Sequence, residues 1–200
     1  MQNIILIGTG GLMKEQIQWL DDVMDFEKKK YNIILCSEKK VLKNYDFIPE
    51  KKIKKNLGKL YLAVGDSEIR LKLILKFKKY EFFSLRHPTA IISKNAKIGK
   101  GVTISPRCII AANTIIGDFN HLNCGANIYH DCKVGNNNIF SPGTQILGDC
   151  KIGNSNFFGT NSCMKPGIKI GNFNTIGASS FLNSNLDNKI KVGGVPAKKI

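Results

Sequence analysis

The chain has 200 residues, a formal net charge of +15 and 42% hydrophobic residues, enough for one large domain or two small ones with a buried core. No apolar run approaches the roughly 20 residues of a membrane helix, and Ile4–Ile7, with no cationic stretch before it, is too short for the core of a secretory signal; a cytoplasmic protein without membrane insertion is expected. Lysine outnumbers arginine 27 to 3 and is spread through the chain without interleaved aromatics for base stacking, which predicts anionic small ligands and no nucleic-acid partner.

Residues 1–86 alternate apolar runs and turns. Ile4–Ile7 reads as a buried parallel strand, Gly8-Thr9-Gly10-Gly11 as a tight turn, and Lys14–Asp25 as a helix with Ile17, Leu20, Val23 and Met24 on one stripe. Ile33–Leu35 reads as a second strand and Tyr61–Val64 as a third, ending at Gly65-Asp66. A second helix is expected from Ser67, with Ser67 as its N-cap, and a last strand over Phe82–Leu85. Alternation of this kind predicts a small α/β Rossmann-like domain with an open parallel sheet. The glycine turn has Met13 where a dinucleotide fingerprint has its third glycine, and Cys36 and Ser37 follow strand two where an acid would hold the ribose. These departures argue against NAD and leave another nucleotide as the ligand expected at the strand ends.

From residue 87 the grammar changes. Stepping by six from Ile92 through Ile98, Ile104 and Ile110 to Leu182 meets a large apolar residue at sixteen consecutive positions. Two residues earlier in each hexad stands a mostly small residue, among them Ala96, Cys108, Thr114, Asn120 and Ala126. A large and a small residue recurring every six predict a narrow solenoid of short flat faces, stacked so that each coil covers its neighbour. Gly99, Gly117, Gly135, Gly153, Gly171 and Gly177 follow the large residue, where permissive dihedrals are expected at the turns. The closing KVGGVPAKKI leaves the register and is expected to cap the open end.

Six cysteines occur without a CxxC pair, and Cys108, Cys132 and Cys150 share the small register, so free thiols packed inside the solenoid are expected rather than disulfides, nucleophiles or metal ligands. Asn136-Asn137-Asn138 reads as a solvated turn, except that Asn138 holds the small register, where asparagines stack in ladders. A zinc site built on such a solenoid needs three histidines arranged across a subunit interface; His87, His121 and His130 include no close pair, so no metal is expected. His87, beside Pro88, reads as structural and His121 as a surface residue. His130 falls two residues after Ile128 and so projects outward, with Asp131 beside it to orient the ring and favour its protonated form; it is the candidate general base.

The two halves in this order, carried by IILIGTGG, LAVGDSEIR, HPTAIISKNAKIG, LNCGANIYHDCKVG, GDCKIGNSNFFGTNSCMKPG and VGGVPAK, resemble the bacterial sugar acetyltransferases related to sialic acid O-acetyltransferases. The nearest resemblance is to the bacillosamine-pathway enzymes that N-acetylate the 4-amino group of a UDP-linked sugar. It implies a left-handed parallel β-helix over 87–200 and a nucleotide-sugar-binding domain over 1–86. It further implies a homotrimer with acetyl-CoA between neighbouring helices, acting on a UDP- or dTDP-linked amino sugar for surface glycan synthesis. By resemblance His130 is the base, Asp131 its acidic neighbour, and Gly148 the residue whose N–H faces the acetyl carbonyl. Ile139, Gly148, Thr160 and Lys169 fall along the acetyl-CoA groove; Gly10, Gly11, Leu12, Cys36, Ser37 and Gly65 fall at the nucleotide sugar. Ile139 stands where the family usually has a second histidine, and Leu12-Met13 where it usually has His-Gly. O-acetylation of sialic acid, or nucleotide binding without catalysis, are the alternative functions.

Overall fold

The computed structural model describes residues 2–39 and 41–200, which fall into two compact units, Met1–Pro88 and Thr89–Ile200. In the first unit four parallel strands, β1 (Gln2–Ile7), β2 (Tyr31–Cys36), β3 (Asp46–Ile48) and β4 (Lys59–Leu62), form a sheet of order β3-β2-β1-β4. Ile4, Ile5, Leu6, Leu35 and Leu60 are wholly buried, as expected of a parallel sheet covered on both faces, whose strands read as unbroken apolar runs. Helix α1 (Gly11–Glu27) follows β1 and presents Met13, Ile17, Leu20 and Val23 to the core; α2 (Ser67–Lys76) follows β4.

Several expectations need correction here. Helix α1 starts three residues before Lys14, so the glycine turn is itself the helix N-terminus, with Gly10 as N-cap. Asp66, not Ser67, caps α2: its carboxylate accepts from the N–H groups of Glu68 and Ile69 at 2.9 and 2.8 Å, an arrangement the helix dipole also favours. β4 runs over Lys59–Leu62 rather than Tyr61–Val64, and β3 lies in a lysine-rich stretch with no apolar run to announce it. Phe82 adds only a single parallel bridge to Leu60, and a two-residue strand, Leu85–Arg86, follows.

The second unit is a three-sided parallel β-helix. Sixteen two-residue strands recur every six residues from Ile91–Ile92 to Phe181–Leu182, and each of the first thirteen pairs in parallel with the strand eighteen residues on. The large register of the sequence is the second residue of every strand and points inward; Phe140 and Phe158 stack there with ring centroids 4.8 Å apart. The small register forms one column at each corner. One corner stacks Cys132 on Cys150, another Cys108 on Ala126, and the third is an asparagine ladder, Asn120–Asn138–Asn156–Asn174. Along that ladder Asn120, Asn138 and Asn156 bond side chain to side chain: Asn138 Nδ2 donates to Asn120 Oδ1 at 3.0 Å and to Gly153 O at 2.9 Å, and Asn156 Nδ2 donates to Asn138 Oδ1 at 2.9 Å. Beyond Leu182 the stack continues with a shorter coil: Leu186 bridges to Ile170, and Lys191–Gly193 pairs with the strand at Thr175–Ile176. An antiparallel turn back through Lys198–Lys199 then closes the end.

The turns depart from the expected glycine rule. Positive φ recurs every six residues from Gly101 to Ser179, mostly at residues other than glycine, and Asn113, Asp131, Asn137, Asp149 and Asn161 supply half of these; short polar side chains tolerate the left-handed region best. Gly99, Gly117, Gly135, Gly153 and Gly171 are not at these positions. A Cβ on any of them would press into the next coil, as on Gly135, 2.6 Å from Gly153 O, so they are required for close approach and not for dihedral freedom. Gly177 is less tight, its nearest neighbour at 3.2 Å. Asn136 is exposed as read, but Asn137 is buried along with Asn138. Cys108, Cys132 and Cys150 are buried free thiols, whereas Cys124 and Cys163 are only half-buried.

Candidate active site

The strand Asn127–Ile128 ends at a turn, Tyr129–Cys132, at one corner of the β-helix. His130 and Asp131 occupy its two central positions, and Asp131 has φ +59°. The turn carries both side chains outward, where they are exposed. His130 Nδ1 lies 2.9 Å from Asp131 Oδ2, and the other carboxylate oxygen, Oδ1, accepts from Asn113 Nδ2 at 3.1 Å. These two hydrogen bonds, that from His130 first, hold the Asp131 carboxyl below its ordinary range. His130 Nε2 is left without a partner among the described residues. One coil on, Gly148 occupies the equivalent place. A Cβ there would lie 2.6 Å from His130 Nε2, so the ring rests directly against this glycine. Gly148 O accepts from Gly167 N at 3.0 Å, while its own N–H donates no backbone hydrogen bond among the described residues. The corner therefore presents a free imidazole nitrogen and a free amide side by side.

The remaining residues of the expected groove divide within one chain. Lys169 is exposed on the sheet that leaves this corner, on the rung after Lys151. Thr160 lies in a turn at a different corner, and Ile139 on a different sheet, where it is buried between His121 and Phe157. His121, read as a surface residue, is also buried, 2% exposed. His87 is buried and its Nε2 lies 3.0 Å from Asp22 Oδ2. The described residues contain no cluster of three His, Cys, Asp or Glu placed to hold a metal.

In the first unit the residues expected at a nucleotide come together. Ile7, Cys36 and Leu62 are register partners across β2-β1-β4, so the glycine turn, Ser37 and Gly65 all follow the carboxyl ends of adjacent strands. Gly8, with φ +138°, passes so close to Ala63 O that a Cβ would sit 2.3 Å away, which leaves no choice but glycine there. Gly10 and Gly11 face open space, and Gly65 approaches the Leu12 side chain, 3.8 Å from its Cδ2 to a Cβ. Ser37 Oγ accepts from Lys39 N at 3.2 Å; burial pushes the Cys36 thiol up to about 11. In an open parallel sheet, ligands bind outside the carboxyl ends where the strand order reverses, here between β1 and β4. The sequence reading missed Arg70, wholly buried, whose Nη1 donates to Leu62 O and Val64 O at 3.2 Å and fixes the approach to Gly65; burial lowers it to about 10. It also missed Asn113, although an interval of eighteen from Asp131 marks it as a neighbour on the stack.

The family described as bacterial transferase hexapeptide (six repeats) matches residues 113–148, the stretch holding Asn113, His130, Asp131 and Gly148. The acetyltransferase domain of PglB from Neisseria gonorrhoeae superposes over 100% of both chains with a TM-score of 0.91 at 22% identity. Residues 113–148 thus match the hexapeptide family, and the whole chain has the fold of this acetyltransferase domain. This gives the solenoid its left hand. PerB from Caulobacter crescentus, solved in complex with CoA and GDP-perosamine, matches this hexapeptide-repeat chain over its whole length and 98% of its own, with a TM-score of 0.90 at 26% identity. The GDP-perosamine N-acetyltransferase of Escherichia coli O157:H7 is 32% identical over 73 residues, covering 36% of this chain and 33% of that enzyme, so the match spans a third of the relative's length. No helix among the described residues is long and apolar enough to cross a membrane.

Proposed function

We propose that this protein transfers the acetyl group of acetyl-CoA to the 4-amino group of a nucleotide-linked amino-deoxy sugar, for surface glycan synthesis in the cytoplasm. The observation that carries this reading is the free His130 Nε2 beside the free Gly148 N–H. The relatives that hold CoA and a nucleotide-linked amino sugar support it, as do six free cysteines, which suit a reducing compartment.

The chemistry needs a proton acceptor and an oxyanion donor, and this corner supplies both. The sugar amine attacks the thioester carbonyl; the carbon–sulfur bond breaks and CoA leaves as its thiolate. His130 Nε2 takes the proton released from the amine and returns it to the thiolate, while Asp131 Oδ2, 2.9 Å from Nδ1, orients the ring. The Gly148 N–H donates to the carbonyl oxygen as negative charge develops on it. The nucleotide sits against Gly10, Gly11, Leu12, Cys36, Ser37 and Gly65, its phosphates toward the N-terminus of α1.

Acetyl-CoA lies along Gly148 and Lys169 of one copy and Thr160 of another in a homotrimer, a reading supported by one chain holding these at different corners; Ile139, expected in the same groove, is buried within its own chain and does not line it. CoA release, read as free thiol, tests the activity with UDP-, dTDP- and GDP-linked 4-amino sugars and with free sialic acid. Release with one nucleotide-linked amine alone is expected. Release with sialic acid alone would replace the reading by O-acetylation, and none with any acceptor would remove the enzyme. Sedimentation giving an active monomer would remove the trimer, and calorimetry showing tight binding of NAD alone would overturn the nucleotide assignment.

A further inference from the structure

We propose that Asn113 is a positioning residue for the reaction, the outer member of an Asn113–Asp131–His130 chain built across two coils of the β-helix. The inference deepens the reading of His130 as base and rests on it.

Asn113 and Asp131 stand eighteen residues apart, at the same place in successive turns, and both have φ +59°. The left-handed backbone alone explains a short polar residue at Asn113. It does not explain why the amide points along the stack. Asn113 Nδ2 donates to Asp131 Oδ1 at 3.1 Å, and Asp131 N donates to Ala112 O at 3.0 Å, so the lower coil holds both the backbone and the carboxylate of Asp131. The remaining oxygen, Oδ2, is then directed at His130 Nδ1. From the upper coil the ring is met by Gly148, with no side chain to displace it.

An exposed carboxylate with one hydrogen bond swings among rotamers; with one oxygen tethered from below, the other keeps its aim at the imidazole. An amide is the group the position needs. It donates to a carboxylate, stays neutral at every working pH, and so does not compete with His130 for the carboxylate's charge. The charged or titratable groups on the segments around this chain are His130, Asp131 and Tyr129 in the turn, Lys133 after it, and Asp149 in the next coil. Among these groups only His130 makes a hydrogen bond or ion pair with Asp131.

The test uses Asn113→Gly in the full-length protein. Glycine suits φ +59° better than asparagine, so the turn should keep its conformation and the melting temperature should hold. Losing one hydrogen bond to a charged group should lower kcat about fivefold to tenfold, with KM for both substrates unchanged. A residue of purely structural role would not move the second readout, the titration of the Asp131 carboxyl by carbon NMR, which should shift to higher pH once its donor is gone. Asn113→Asp should shift it further, because a second carboxylate faces the first. An unmoved Asp131 titration in Asn113→Gly would overturn the inference, whether or not the wild type transfers acetyl groups. A wild type without transferase activity would instead overturn the reading of His130 as base.

Discussion

The imidazole of His130 fills the space that a side chain on Gly148 would take: a Cβ built there lies 2.4 Å from His130 Cε1 and 2.6 Å from Nε2. Gly148→Ala must therefore push the ring aside. The ring is the exposed end of a side chain and can swing out, so the coil should survive with little change in melting temperature. A base moved by about 1 Å costs on the order of 10²-fold, and kcat should fall by that order. A thermal melt and a CoA-release assay on the same preparation separate the two effects, and an alanine variant with normal kcat would show that the ring works from some other position.

Asp131→Asn should lower kcat, but by less than removing His130 does, because the nitrogen that accepts the proton remains. Asp131 Oδ2 lies 2.9 Å from His130 Nδ1, and a neutral amide oxygen holds the ring less firmly than a carboxylate does. The Asp131 carboxyl is held below its ordinary range, first by the bond from His130 and then by that from Asn113, so the carboxylate should keep its hold on the ring into the acid range. CoA release by Asp131→Asn and His130→Ala side by side checks it; an Asp131→Asn rate equal to that of the wild type would mean that the carboxylate does not position the ring.

Asn138→Asp should destabilise the β-helix by about 3 kcal/mol, the usual cost of an uncompensated buried charge. Asn138 is wholly buried, and its Nδ2 faces two oxygens, Asn120 Oδ1 and Gly153 O. A carboxylate in that place turns two donations into repulsions. Its Oδ1 also accepts from the N–H and Nδ2 of Asn156, so the damage spreads to the next rung only through packing. Denaturant unfolding of the two variants Asn138→Asp and Asn136→Asp makes the comparison, since the exposed Asn136 should tolerate the charge far better.

The period of six made the solenoid legible because each inward position is filled by one residue of a fixed size, and the packing of a stack repeats without exception. Ile128, Ile146 and Met164 could be assigned to one inner column from spacing alone. His130 and Asp131 followed, since a turn position is counted from the same register. His121 was misjudged because the register says that a side chain leaves the coil, not whether anything covers it. The glycines were misjudged for a related reason. Spacing marks Gly135 as special, but only the distance to Gly153 O separates a need for space from a need for dihedral freedom. In the first unit β3 was invisible: Asp46–Ile48 is three residues long, and two of them are exposed. Its place is set by pairing with Ile34–Cys36, a contact that sequence patterns do not carry.

His130→Ala should lower kcat by on the order of 10²–10⁴, the usual worth of a positioned base. The amine of an amino sugar is partly protonated near neutral pH, and the attacking nitrogen must lose a proton as the amide forms. His130 is the one histidine of the three whose ring is exposed with a nitrogen free to accept; His87 is engaged with Asp22, and His121 is buried. Truncation leaves the turn intact, because Asp131 keeps its backbone bond to Ala112 and its side-chain bond to Asn113. It also leaves the Gly148 N–H in place, so binding and oxyanion donation should sustain a residual rate above that of the uncatalysed reaction. That residual rate should rise with pH, as free amine becomes available without help. Kinetics from pH 6 to 9 read both the loss and the rise. If His130→Ala kept the wild-type rate with its proper acceptor, the base would lie elsewhere, and a second copy's residues on the facing side of the groove would be the next to replace.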